Sequence, residues 1–339
     1  MRAALTPLPL ATLAALAASA LLAGCGGGSG GDSAALGAPA PAAPAALTAA
    51  NYVAVAQEAL SSSSYLASAA SLVTGAQVGD ASTLVRFGQD QAGKLAGWLN
   101  AAPAQAVGVV QTQTEPCWGG GTLTIRASDL NGNGQVDPGD SATLTASNCA
   151  YRGETLNGQL SLTVDSLAGD PDTFPYKLAV TLGFGQLSAQ SATVRTVGNG
   201  NLALSIDARA ANDQSLALRT SSLSLSSTYA STRYDKTLSG YASTSTLSPA
   251  GSGYTASTTV NGTLSSSAFG AKSVVIETLA PFVSSGQAHP GSGRLLISGA
   301  AGSKVRVTAT SASALLIELD ADGNGTYETA TPKGWSELL

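Results

Sequence analysis

From Leu156 to Thr310 apolar residues alternate with Ser, Thr and other polar residues in run after run. Leu160, Leu162 and Val164 fall on one face of an extended chain, and Ser161, Thr163 and Asp165 on the other. The same period of two returns at Tyr176–Leu182, Leu202–Ile206, Leu216 and Leu218, Val274 and Ile276, Leu295 and Ile297, and Val305 and Val307. That is the pattern of strands with one buried face. The predicted breaks fall at 169–172, 198–201, 211–213 and 249–251 and are only a few residues long. Parallel neighbours need crossovers of about a dozen residues or more, so these strands must pair antiparallel, each with the next. The expected fold is mainly β (α+β), a large antiparallel meander sheet or half-barrel. The Ser/Thr-rich stretch Ser221–Ser267 has a thin apolar face and reads as an extended or loosely packed part of it.

Three ways of burying the apolar face compete: a curled half-barrel with N-terminal helices in its hollow, a two-sheet sandwich, and a membrane barrel. The barrel is disfavoured, because five Phe, nine Tyr and three Trp are too few and scattered for aromatic girdles. The predicted helices precede the sheet. One spans Thr48–Val73, with Thr48 as N-cap and Tyr52, Val55, Ala59 and Leu60 on one face; the other spans Ser82–Asn100, with Leu84, Phe87, Leu95, Trp98 and Leu99 on one face. They read as covers for the sheet. The organisation is then a leader over 1–24, a tether over 25–47, a helical segment over 48–112 and an antiparallel β domain over 113–339.

Two Asp-rich loops interrupt the strands. In the first, Asp129, Asn131, Asn133, the Gln135 carbonyl, Asp137 and Asp140 occupy positions 1, 3, 5, 7, 9 and 12 of a calcium loop, with Gly134 at the sixth. In the second, Asp320, Asp322, Asn324, the Thr326 carbonyl and Glu328 fit positions 1, 3, 5, 7 and 9, with Gly325 at the sixth. Its position 12 falls on Thr331, a poor substitute for an acid. The loops resemble EF-hand and dockerin loops, which implies structural Ca2+. Here the flanks are strands rather than helices, so a staple is expected and not a switch. A plain Asn-Gly hairpin turn competes with the metal reading at both loops.

Cys117 and Cys149 flank the first loop, at the ends of neighbouring strands, and are expected to form a disulfide. Residues 1–25 read as a secretory leader: Arg2, then the apolar stretch Leu8–Leu22, then Leu22-Ala-Gly-Cys25. This resembles the bacterial lipobox and implies a diacylglyceryl and N-acyl anchor on Cys25, which multiple chains make stable. Gly26 stands where enteric lipoproteins retained in the inner membrane carry Asp, so the resemblance favours the outer membrane. Residues 26–46 are Gly/Ser-rich and then Ala/Pro-rich, the composition of a tether.

With 11% charged residues and a net charge of −5, the chain has no basic stripe for nucleic acid. No phosphate loop, dinucleotide fingerprint or zinc pair is present. The one histidine, His289, lies in a turn sequence, so a hydrolase would require it beside a serine and an acid. The leader, the Cys–Asp-rich loop–Cys segment, the DxDGNGxYE hairpin and the Trp335–Leu338 tail together resemble secreted lipoproteins of Gram-negative bacteria. The resemblance implies location more than activity: a non-enzymatic outer-membrane lipoprotein with a structural or envelope-interaction role, facing an envelope protein. The alternative is a carrier whose half-barrel holds a lipid or other hydrophobic ligand.

Overall fold

The computed structural model describes residues 42–62, 83–92, 94–95, 98, 110–171, 173–251, 253–286 and 289–338. Cys25, the leader, most of the tether and parts of both predicted helices lie outside these residues. Residues 52–62 form helix α1 and Thr83–Ala92 helix α2. Seven strands follow: β1 (Val110–Pro116), β2 (Thr122–Ser128), β3 (Ser141–Tyr151), β4 (Glu154–Ala168), β5 (Tyr176–Gln190), β6 (Val194–Ala210) and β7 (Asp213–Tyr229). Seven more complete the sheet: β8 (Thr232–Ala250), β9 (Gly253–Ser266), β10 (Lys272–Ser284), β11 (Ser292–Ser298), β12 (Lys304–Ser311), β13 (Ala314–Asp320) and β14 (Thr329–Gly334).

These strands form one antiparallel sheet in strict sequence order from β1 to β14. The expected meander is therefore present. Among the described residues there is one sheet, and β1 and β14 are not neighbours, so it is not closed into a barrel. Turns after odd-numbered strands line one rim of the sheet and turns after even-numbered strands the other.

The predicted inward residues are inward. Ala142, Leu162, Leu182 and Leu202 sit opposite one another across β3 to β6, all at most 2% exposed. Ile297, Val305 and Leu319 continue the buried face across β11 to β13. Burying a side chain of this size contributes about 1.5–3 kcal/mol.

The sheet curls around its N-terminal segment. The Tyr52 hydroxyl meets Thr331 on β14, while Glu58 accepts from Ser266 on β9 and pairs with Lys236 on β8. Six helical residues rise about 9 Å. In a flat sheet β9 and β14 would stand about 24 Å apart. The C-terminal strands must therefore wrap α1. Upstream of it, the Ala45 N–H bonds the Ser273 carbonyl at the start of β10, the Ser273 N–H bonds the Ala43 carbonyl, and the Leu47 N–H reaches the Ser303 hydroxyl.

A second bend crosses β3 to β9. Register shifts fall at 146–149, 157–159, 184–187, 200–203 and 239–242, at neighbouring levels of successive strands. Bulges bend strands and increase their twist. The α2 helix packs along this crease. Leu84 occupies the space where a Cβ on Gly198 would sit, and Phe87 packs edge-on against Tyr151.

Four expectations are corrected or narrowed. Residues 198–201 lie inside β6 at the crease, not in a turn, because Gly-Asn-Gly here supplies a bulge. Ser221–Ser267 is the expected extended part of the sheet, in β7 to β9, but it is not loosely packed: Leu223, Leu225, Leu238, Tyr241 and Leu264 are all buried. Its thin apolar face is offset by the size of Tyr241. The described part of the first helix begins at residue 52 rather than 48, since the Asn51 side chain accepts the Thr48 N–H and holds residues 48–51 as a turn. The sheet itself starts at Val110, within the segment expected to be helical.

Candidate metal centres

The two Asp-rich loops join β2 to β3 and β13 to β14, so they sit towards opposite edges of the sheet and on opposite rims. Their first seven residues are wired alike. The Asp129 carboxylate accepts the N–H groups of Asn131, Gly132 and Gly134 at 3.2, 2.6 and 2.7 Å. Asp320 accepts those of Gly323 and Gly325 at 2.8 and 3.0 Å. At the third position, Asn131 Oδ1 accepts from Asn133 N, and Asp322 Oδ1 from Asn324 N, both at 3.1 Å. At the fifth, Asn133 and Asn324 accept the N–H of Gln135 and of Thr326, both at 2.7 Å. Both loops turn on glycines at positions four and six with positive φ, 72° and 74° in the first and 76° and 89° in the second. An L side chain adopts that backbone at a cost of about 1–2 kcal/mol.

The loops diverge where they close. In the first, Asp140 Oδ1 accepts the Leu130 N–H at 2.8 Å, and Oδ2 the Asp137 N–H at 2.7 Å. In the second, Glu328 Oε2 accepts the Ala321 N–H at 3.3 Å. Leu130 and Ala321 are the second residues of their loops, so Glu328 does the work of Asp140 three positions earlier. Thr331, the nominal twelfth position, is bonded to Tyr52 instead. The longer glutamate side chain lets a shorter loop close on itself.

This changes which loop is the better cation site. Asp320, Asp322 and Glu328 bring one carboxylate oxygen each within 4.8 Å of one another, and the group can hold a metal ion. Asp320 is fully buried while Asp322 and Glu328 are open to solvent, which leaves room for water ligands. In the first loop Asp137 is tied by the amides of Asn131 and Asn133 at 2.8 and 2.6 Å. Those two donors hold the Asp137 carboxyl below its usual range. Asp129 and Asp140 are buried, and each of their carboxylates is taken up by backbone N–H groups. The first loop therefore has the fuller ligand spacing, and the second the gathered carboxylates.

Cys117 and Cys149 form a disulfide beside the first loop, with Cα atoms 5.3 Å apart. Cys117 lies in the β1–β2 turn and Cys149 within β3. The bond spans 32 residues, for which the chain-entropy model gives roughly 3–4 kcal/mol.

His289, in the β10–β11 loop, stacks on Trp335 with ring centres 5.7 Å apart, and Phe282 meets the same indole edge-on. Trp335 is buried and donates its Nε1–H to the Ser311 carbonyl at 3.2 Å. Trp335 is thus a core residue next to the last strand, and His289 packs on its ring. Sequence reading passed over Tyr151, Asp90 and Arg152, which tie α2 to the β3–β4 turn. The Tyr151 hydroxyl bonds Asp90, and Arg152 approaches the same carboxylate at 3.5 Å. Burial, with the Asp90 bond, holds the Tyr151 phenol protonated far above its usual range.

No protein-family model, curated protein or solved structure matches the chain.

Proposed function

We propose that this protein is a non-enzymatic lipoprotein of the bacterial outer membrane, anchored through acyl chains on Cys25, with a structural or envelope-interaction role and Ca2+ in its acidic hairpins. The single observation that supports this reading best is the shared wiring of the two loops. The same seven-residue arrangement braces a hairpin towards each edge of one large sheet, and each buried acid in it is spent on holding backbone. A sheet with open edges gains most from such braces where neighbours are missing. At the second loop Asp320, Asp322 and Glu328 would supply oxygen ligands to Ca2+, and at the first Asp129, Asn131, Asn133, Asp137 and Asp140. The role of the ion is to pin the loops; no reaction is routed through it.

The anchor rests on the Leu22–Cys25 motif. The packing of α1 and α2 on the apolar face favours a structural domain over a carrier, since these helices take up surface that a hydrophobic ligand would use. Native mass spectrometry of protein extracted from membranes in mild detergent tests both readings. The expected species carries the acyl mass on Cys25, one disulfide and bound calcium. A mature chain without acyl mass would refute the anchor, and a stoichiometric co-purified lipid in the sheet would replace the structural role with carriage.

A further inference from the structure

β1 (Val110–Pro116) is an edge strand, and its ladder to β2 runs without a register shift. Beyond its end the Cys117 N–H bonds the Gly121 carbonyl across the turn. In an antiparallel pair, bonded and non-bonded positions alternate. Gln111, Gln113 and Glu115 therefore bond to β2, while Val110, Thr112, Thr114 and Pro116 turn their backbone groups outwards. Among the described residues, no backbone bond reaches that outer edge. Val110, Thr112 and Thr114 are exposed.

The other edge is guarded. On β14, Pro332 lacks an N–H, Lys333 pairs with Glu337, and Thr331 is bonded to Tyr52 of α1. Proline and lysine are common devices against edge pairing. β1 has no lysine, no bulge and no proline before its last position, and Glu115 is its one charge. Its sequence also matches its own reverse. An antiparallel copy centred on Gln113 sets Thr112 against Thr114, Gln111 against Glu115 and Val110 against Pro116. Each glutamate then faces an amide. Gln113 already donates to Glu115 within the strand at 3.1 Å, so an amide is an accepted partner of this carboxylate. A parallel copy in register would instead stack Glu115 on Glu115, and moving the antiparallel centre to Thr112 or Thr114 shortens the overlap.

We infer that β1 is the docking edge for a second copy of this chain, joined β1 to β1 about a two-fold axis at Gln113. Thr112 and Thr114 of one copy exchange backbone bonds with Thr114 and Thr112 of the other. Each Val110 N–H meets a Pro116 carbonyl, which makes about six bonds in all by the alternation of an antiparallel ladder. Pro116, with no N–H to give, falls at the end of that ladder. The contact is isologous and closes on itself, so it yields a finite pair whose remaining edges are the two guarded β14 strands. It depends neither on the anchor nor on the calcium proposed above.

The test uses the full chain in mild detergent, with native mass spectrometry to count copies and circular dichroism to check that each variant keeps its sheet. Wild type is expected as a dimer in equilibrium with monomer. Thr114→Pro removes an outward N–H, leaves the ladder to β2 intact and should abolish the dimer. Thr112→Lys with Thr114→Lys keeps every backbone group but sets lysine against lysine across the axis, and should weaken dimerisation several-fold. Thr112→Glu with Thr114→Lys sets opposite charges there and should restore it. A wild type that stays monomeric up to its solubility limit overturns the inference. So does a dimer that Thr114→Pro and the double lysine variant leave unchanged. Equal dimerisation of the two charged double variants would overturn the pairing centred on Gln113.

Discussion

The guanidinium of Arg306 lies 3.9 Å from the centre of the Tyr327 ring. On its other side it donates from Nε and Nη2 to Glu318 at 2.7 and 2.8 Å. Tyr327 belongs to the second acidic loop, Arg306 to β12 and Glu318 to β13, so one side chain fastens the loop to two strands.

Arg306 holds the Glu318 carboxyl below its usual range, outweighing the opposing effect of burial. A carboxylate whose folded pKa is depressed contributes stability above its unfolded value and loses it as pH falls through the folded one. The pair is partly exposed, so about 1 kcal/mol is expected. The thermal midpoint of Arg306→Met should lie below wild type at pH 7, and the gap should close below about pH 4. Equal gaps at pH 7 and pH 3 would show that the packing on Tyr327, and not the ion pair, carries the difference.

Calcium should raise the thermal midpoint and a chelator should lower it again. A ligand of the native state at a hundredfold its dissociation constant adds about 2.7 kcal/mol, several degrees for a domain of this size. Asp320→Asn or Glu328→Gln should remove most of the response, and Thr331→Val should leave it intact. Loss of the response in Thr331→Val would return position 12 to Thr331.

Gly121 and Gly153 both have positive φ, 75° and 84°, but only Gly121 has backbone in the path of a Cβ. Gly153→Ala should cost about 1 kcal/mol, the ordinary penalty of that conformation. Gly121→Ala must also displace β3 and should cost clearly more, in the upper range of single-residue effects. Chemical denaturation of the two variants gives the comparison directly. Similar midpoints would mean that the Trp118 turn is free to move away from β3.

Leu182 is fully buried on β5, with its Cδ1 at 2.8 Å from where a Cβ on Gly88 would stand. Leu182→Ala should cost about 2–5 kcal/mol. Adding Gly88→Ala should recover part of that loss, because the new methyl enters the space vacated. If the double variant is weaker than Leu182→Ala alone, α2 does not rest on this part of the sheet.

Much of this fold was legible because a half-buried strand writes itself in a period of two. Leu160, Leu182, Leu204 and Ile297 needed only that rule. What escaped was set by contacts between distant segments. Gly198-Asn-Gly200 carries a turn composition, yet it forms a bulge because α2 lays Leu84 against it. Thr331 held the textual position of a metal ligand, but Glu328 reaches back to the loop and Tyr52 claims the threonine.

Each strand of this sheet is bonded only to the strands before and after it in the chain. Its ladder bonds resemble a one-dimensional array of nearest-neighbour terms, to which α1 adds contacts between strands far apart in that order. Removing or adding one whole hairpin in the middle would restore every pairing on either side and keep both rims in phase. The ladder alone would thus let the sheet change width two strands at a time, and it is the helices in the hollow, fastened to particular strands, that fix how many strands it has.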